Sequence, residues 1–246
     1  MLQDGFSLMV LDNVDSTNNY AMEKVHAGMA KHGDAYFAHE QTNGKGQRGK
    51  TWHTNKGENI ILTIVLEPTA IRLLQPFHLS VAVALACYDL LKIHVGSDAS
   101  GEPKIKWPND LYWCDRKAGG ILIENVLRGK EWKWAIAGIG INVNQTEFSQ
   151  EIVNAVSLKQ ITEKEFDTID LATQLQGLII KRATQSFDQL LKEYNTHLYK
   201  RNQVVRLKQN DKIFSTTVKE VAANGELVCF SDKEQRFGFG EIEWVI

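Results

Sequence analysis

Gly44-Lys45-Gly46-Gln47-Arg48-Gly49-Lys50-Thr51 satisfies two nucleotide-binding patterns at once. It reads as G-x-x-x-x-G-K-[ST], the phosphate-binding P-loop, and as G-x-G-x-x-G, the dinucleotide fingerprint. Each pattern requires an apolar strand before it and a helix after it, because the helix N-terminus and backbone N–H groups hold the phosphates. Neither flank fits. His39-Glu40-Gln41-Thr42-Asn43 upstream is polar, and Trp52-His53-Thr54-Asn55-Lys56-Gly57 downstream runs into a strand. Both flanks therefore count against a P-loop or dinucleotide fold. What remains is a basic, glycine-rich mobile loop, Thr42 to Gly57, able to close over an anion and ending in a tryptophan that can stack on a base. Taken alone, it reads equally well as a solvated basic loop with a core tryptophan.

Working outward, Asp15-Ser16-Thr17-Asn18 opens a helical stretch, with Ala21, Met22, Val25 and Met29 at helical spacing and Ser16 or Thr17 as N-cap. Ala35 to Ala38 and the β-branched run Asn59 to Leu66 are expected strands. Leu74 to Ile93 is expected to be a buried helix with Pro76 near its start. Lys104 to Trp113 reads as a strand interrupted at Pro108. Gly120 to Leu127 and Glu131 to Val143 read as a hairpin turning at Arg128-Gly129-Lys130, with Trp132, Trp134 and Ile136 on one face. Gln145 to Thr168 reads as irregular and Asp170 to Tyr199 as helical. After Lys200, four short strands with turns such as Asn224-Gly225 form a small β-barrel-like module, too small to bury a core unaided. Strands in the middle and helices towards both ends predict an α+β fold built on one sheet.

Two further clusters carry chemistry. Lys106-Trp107-Pro108-Asn109-Asp110 sets charged and amide groups at a strand end, and Lys117 precedes Gly119-Gly120-Ile121-Leu122. Paired glycines there let a ligand approach the backbone. In Gly138-Ile139-Gly140-Ile141-Asn142, glycines alternate with isoleucines and leave one sheet face bare, a slot for a flat ligand. Close strand packing would ask for the same small residues.

Bulk properties exclude several classes. A net charge of −2 gives no electrostatic case for nucleic acid or a membrane surface. Met1 to Val10 lacks a signal-peptide pattern. The longest apolar run, Leu79 to Leu91, carries Asp89 and falls short of the roughly 18 residues of a span. Three scattered cysteines, Cys87, Cys114 and Cys229, form no disulfide framework or metal motif and suggest a reducing cytoplasm. The histidines, His53 included, read as surface or packing residues.

Together, Asp15 to Asn18, Gln41 with the Gly44 to Trp52 loop, Lys106 to Asp110, Lys117 with Gly119 to Leu122, and Gly138 to Asn142 resemble the biotin protein ligases in order and spacing. The resemblance covers roughly residues 8 to 246. It implies a mixed sheet flanked by helices, related to class II aminoacyl-tRNA synthetases, over residues 1–199, and an SH3-like C-terminal domain over 200–246. It implies formation of biotinyl-5'-AMP from biotin and ATP, with Mg²⁺, and transfer of biotin to a lysine of a biotin carboxyl carrier domain. Ser16, Thr17, Asn18, Gln41, Lys45, Gly46, Gln47, Lys117, Gly119 and Gly120 would bind biotin. Arg48, Trp52, Asn109, Asp110, Lys117 and Asn142 would face the nucleotide, with Lys117 and Arg48 as the catalytic cations.

The family's loop is usually Gly-Arg-Gly-Arg-Arg-Gly-Arg. Here Lys45, Gln47 and Lys50 replace three of its arginines and only Arg48 is kept. Lysine keeps charge without the bidentate fork, and glutamine keeps neither. The Asp-Ser-Thr-Asn motif starts at residue 15, so the resemblance is to the short class without a DNA-binding domain, a monomer or homodimer that binds no nucleic acid. Asp110 would either orient the acceptor amine or assist the metal. Three rivals are a lipoate or octanoate ligase of the same architecture, a non-catalytic biotin or nucleotide sensor, and a P-loop phosphotransferase that turns over ATP without biotin.

Overall fold

Asn59–Leu66 forms a strand, β3, buried at all eight positions in the computed structural model, which describes residues 6–71, 75–96, 101–148 and 154–245. Burial on both faces explains why its apolar run shows no alternation. Around it lie β1 (Leu8–Val14), β2 (Ala35–Gln41), β4 (Pro103–Lys106), β5 (Asp110–Trp113), β6 (Arg116–Arg128) and β7 (Glu131–Asn142). They form a seven-stranded sheet in the order β1-β2-β3-β7-β6-β5-β4. Only the β1–β2 pair is parallel among these strands.

Helices cover both faces. On one, α1 (Thr17–His26) packs Ala21 against Tyr36, Val65 and Ile136. On the other lie α2 (Pro76–Val95), α3 (Leu158–Thr162), α4 (Thr168–Ala183) and α5 (Phe187–Thr196), over a core that includes Phe37, Leu62, Ile64, Leu85 and Leu175. Neighbouring strand residues part to opposite clusters, Tyr36 and Val65 to α1, Phe37 and Ile64 to α2 and α4, as strand periodicity requires. Helix α2 has the length and apolarity of a membrane span, but it is the buried central helix of this core. The architecture is α+β, as the sequence implies.

Arg182 on α4 ties three helices together. Its guanidinium donates to Asp89 on α2 at 2.7 and 2.8 Å and to Glu193 on α5 at 2.7 Å twice. Arg182→Ala would leave two half-buried carboxylates facing each other, so a loss of about 3 kcal/mol is expected. Urea denaturation checks this, and an unchanged midpoint would show that the pair contributes nothing net.

A second, antiparallel sheet follows Lys200, in the order β11 (Glu234–Phe237), β10 (Leu227–Phe230), β9 (Lys212–Val221), β8 (Val204–Gln209), β12 (Glu243–Val245). It docks on the first. Trp107 Nε1 donates to Gly225 O at 3.0 Å, Trp244 Nε1 donates to Trp107 O at 3.1 Å, and the Asn195 amide bonds both backbone groups of Val221.

The structure corrects several sequence expectations. Met29 lies beyond α1 and is exposed, since the helix ends before Gly28 at φ 68°. Lys104 to Trp113 is a hairpin rather than one interrupted strand, with Lys106 opposite Asp110. Trp132 packs in the larger core, away from Trp134 and Ile136, because Val126 pairs Trp134 and Leu127 pairs Trp132. The unpaired Lys133 between them shifts the side-chain parity. Gln145 to Thr168 holds α3, whose Ser157 and Gln160 form a capping box. Residues 149–153 of that stretch, and the expected helix start at Leu74, lie outside the described residues, as does the first half of Met1 to Val10. Asp170 to Tyr199 is two helices, α4 and α5, and the C-terminal sheet has a fifth strand, β12.

Candidate functional site

The pocket follows from sheet register. One cross-sheet row runs Ile61, Gly140, Gly120, Asp110, Lys106. The next runs Thr63, Gly138, Leu122. Both rows face α1, and their glycines leave the sheet bare. A Cβ on Gly138 would stand 2.3 Å from Asn18 Oδ1, and one on Gly140 would stand 2.4 Å from the Trp52 indole. Lys117 reaches the same face through a bulge. Leu111 pairs with Gly119 and Tyr112 with Lys117, so Ala118 is the extra residue. Were Ala118 paired instead of bulged out, alternation would turn Lys117 into the core beneath α2.

Ser16, Thr17 and Asn18 at the start of α1 form one wall, all at least 97% buried. Ser16 sits at the N-cap position but its side chain makes no cap bond. Thr17 donates from its backbone N and its hydroxyl to Gln41 Oε1, at 2.8 and 3.1 Å. The Thr63 hydroxyl lies 2.7 Å from Asn18 Oδ1 and 2.8 Å from Thr17 Oγ1. Asn18 Nδ2 donates to Glu124 Oε2 at 2.7 Å, and Lys45 lies 3.7 Å from the other oxygen. This end is a buried, interlocked polar network, suited to reading a small polar ring.

The opposite end is cationic. Lys117 Nζ donates to Asp110 Oδ1 at 2.6 Å and stands 5.6 Å from the centre of the Trp52 ring. Asn109 and Gln47 both donate to Ile121 O, at 2.8 and 3.4 Å. The loop folds back on itself, with Lys45 bridged to Thr51 and a short 3-10 turn at Gln47–Gly49. Trp52 leaves it to lie in the glycine slot, its indole N–H buried without a partner. The sequence offered that slot to a flat ligand, and the chain's own indole occupies it. The remaining cavity is about 60 Å³. That is below the roughly 300 Å³ of ordinary ligand pockets, so ligand entry requires Trp52 and the loop to move.

Of the residues singled out in the sequence, Ser16, Thr17, Asn18, Gln41, Lys45, Gly46, Gln47, Trp52, Asn109, Lys117 and Gly120 line this one cavity. Asp110 stands beside it through Lys117. Three are placed elsewhere. Arg48, at φ 56°, turns away, its guanidinium 5.8 Å from the Phe239 ring centre and against Gly240. It borders a second cavity of about 400 Å³ between the loop, Trp107 and the C-terminal sheet. Asn142 is buried, and its amide donates to Lys117 O and Val156 O, both at 3.2 Å, so it braces the Lys117 backbone. Gly119 packs against Gly140 O.

Sequence reading passed over Thr63 and Glu124. Thr63 had a signal, as a polar residue interrupting the apolar run Ile60 to Leu66 of a buried strand. Glu124 had none, since its place beside Lys45 and Asn18 comes from long-range pairing. Among the described residues, no three His, Cys, Asp or Glu side chains gather into a metal site.

The geometry defines a pocket with a polar buried end, a glycine-lined slot filled by Trp52, and an end where Lys117 pairs with Asp110. The pattern of the biotin/lipoate A/B protein ligase family matches residues 10–144. The chain belongs to that family. It is 35% identical over 155 residues to the bifunctional ligase/repressor BirA of Escherichia coli, covering 61% of this chain and 45% of that one. It is 38% identical over 135 residues to a biotin–[acetyl-CoA-carboxylase] ligase of Paracoccus denitrificans, covering 54% and 53%. The chain thus spans about half the length of the curated relatives it matches. A biotin protein ligase from Aquifex aeolicus, solved with biotin and ATP, superposes with a TM-score of 0.80 at 24% identity, covering 96% of this chain and 97% of that one. That likeness establishes the fold over 96% of the chain.

Proposed function

We propose that this chain joins biotin to ATP, forming biotinyl-5'-AMP, and then transfers biotin to a lysine of a carrier domain. The supporting observation is Lys117: a buried bulge turns its ammonium onto the glycine slot, opposite a polar network that could hold a ureido ring. A carboxylate oxygen of biotin attacks the α-phosphorus of ATP, and the bond to pyrophosphate breaks. Two anions must meet for this, so the protein's task is to place cations and exclude water. Lys117 and Lys45 supply charge within the pocket. Mg²⁺ would travel with the triphosphate, because Asp110 is already flanked by Lys106 and Lys117. In the second step the acceptor amine attacks the acyl carbon, loses a proton and expels AMP. Residues 1–199 would form the catalytic unit and 200–246 an SH3-like domain that braces it. The acceptor would be a biotin carboxyl carrier domain.

Incubation with ATP, Mg²⁺, biotin or lipoate, and a purified carrier domain, read by streptavidin blot and by the mass of the intact carrier, tests the reading. An unlabelled carrier, or labelling with lipoate in its place, would reject it.

Gln47 carries a second prediction. Its amide reaches Ile121 O only at 3.4 Å and brings no charge to the pocket. The resemblance to the family puts an arginine at this position against the adenylate phosphate, so Gln47→Arg would add a charge-assisted bond there, and about 1.5–3 kcal/mol corresponds to roughly 10- to 100-fold slower adenylate release. Release of preformed labelled adenylate into excess unlabelled ligand measures it. Equal rates would show that position 47 does not govern retention.

A further inference from the structure

Lys106 stands beside the pocket without lining it. It ends the cross-sheet row that contains Gly140, Gly120 and Asp110, and its side chain is 11% exposed. Its ammonium lies 5.1 Å from the Tyr112 ring centre and 5.3 Å from that of Trp244. Asp110 Oδ2 is 3.9 Å away, while Asp110 Oδ1 accepts from Lys117 at 2.6 Å. One carboxylate serves two lysines unequally.

That inequality matters for the proposed reaction. A carboxylate at 2.6 Å neutralises the charge that Lys117 is to offer the ligand. When an incoming anion draws Lys117 away, Asp110 is left as a largely buried anion, and leaving such a charge unpaired is costly. We propose that Lys106 is a positioning residue that takes over Asp110 when Lys117 turns to the ligand, and that Tyr112 and Trp244 hold it within reach. The inference rests on the reading of Lys117 as the ligand-facing cation. It also gives the C-terminal strand β12 a part in the site, since Trp244 forms one side of the cage.

The exchange requires a charged Lys106. Burial pushes its pKa down to about 8, with Asp110 pulling up and Lys117 and Lys50 pushing further down. The groups facing it are Asp110 and Tyr112 from β5, Lys117 from β6, Lys50 from the loop and the uncharged Trp244 from β12. Burial also raises the Tyr112 hydroxyl, which therefore stays neutral as Lys106 titrates. The protonated, competent form thus prevails below about pH 8 and is lost as pH rises through it.

The test is biotin-dependent ATP–pyrophosphate exchange from about pH 6 to 10 on the full chain, with Lys106→Arg and Lys106→Met beside it and melting temperatures for all three. Lys106→Met is expected to lower neutral-pH exchange at least about tenfold, and Lys106→Arg to keep a third or more of it while moving the alkaline limb up by about one unit or more. Full exchange in Lys106→Met, or an unmoved limb in folded Lys106→Arg, would overturn the proposal. Should Lys106→Met fail to fold, the limb in Lys106→Arg decides. An unmodified chain without exchange at any pH would overturn the Lys117 reading and this one together. Exchange indifferent to residue 106 would overturn this one alone.

Discussion

Lys117→Ala is expected to reduce biotin-dependent ATP–pyrophosphate exchange by about 10²–10³-fold, the usual cost of removing one preorganised charge-stabilising group. The reason is positional. The Lys117 ammonium lies over Trp52 and beside Gly120, where the row of glycines ends and the charged residues begin. Lys45, the other lysine in this pocket, sits towards Glu124 at the opposite end and cannot substitute. Alanine also strands Asp110, so the variant needs a melting curve alongside the assay. Lys117→Arg separates the two effects, keeping the partner of Asp110 while changing the shape of the donor. Near-normal exchange in Lys117→Ala would remove this residue from the chemistry.

The second large effect is expected at Gly140. A methyl group there would stand 2.4 Å from the Trp52 indole and 2.6 Å from its N–H nitrogen, closer than packed atoms come. The sheet backbone beneath is paired on both sides, with Ile61 and Gly120, and has nowhere to go. The indole must leave the slot, and a ligand must contend with the same obstruction. Gly140→Val is expected to weaken biotin and nucleotide binding by about 10- to 100-fold, the equivalent of roughly 1–3 kcal/mol of overpacking. Calorimetric titration measures it. Gly177→Ala on α4 is the control, because open space surrounds that position. Undiminished affinity in Gly140→Val would mean that ligands do not use the bare face.

Much of this site is legible in the sequence. The α1 entry, the loop, the Lys106 to Asp110 turn and the glycine-isoleucine alternation are local patterns, and local patterns survive translation into structure. Trp52 was recognisable as a flat surface, though not as the occupant of the glycine slot, because nothing in a linear chain says that two distant motifs face each other. Arg48 could not have been placed. Its left-handed backbone and its contact with Phe239 depend on a sheet about 190 residues further along the chain. Asn142 looks like a ligand amide by type and neighbourhood, and only the register shows its donors bound to the backbone of Lys117 and Val156. The split of the last helical stretch at Thr184 to Ser186 went unseen because both halves keep the same apolar period.

The single unpaired alanine before Gly119 makes the molecule sensitive to counting. Pairing it, by adding one residue to the opposing strand, would restore unbroken alternation and turn the key ammonium inward among leucines. Removing it instead would straighten the strand and leave the ammonium where it is, still opposite Tyr112. Reading frame in a sheet is binary, so drift in this stretch cannot proceed by gradual adjustment: a length change of one either leaves the ammonium on its face or carries it to the other.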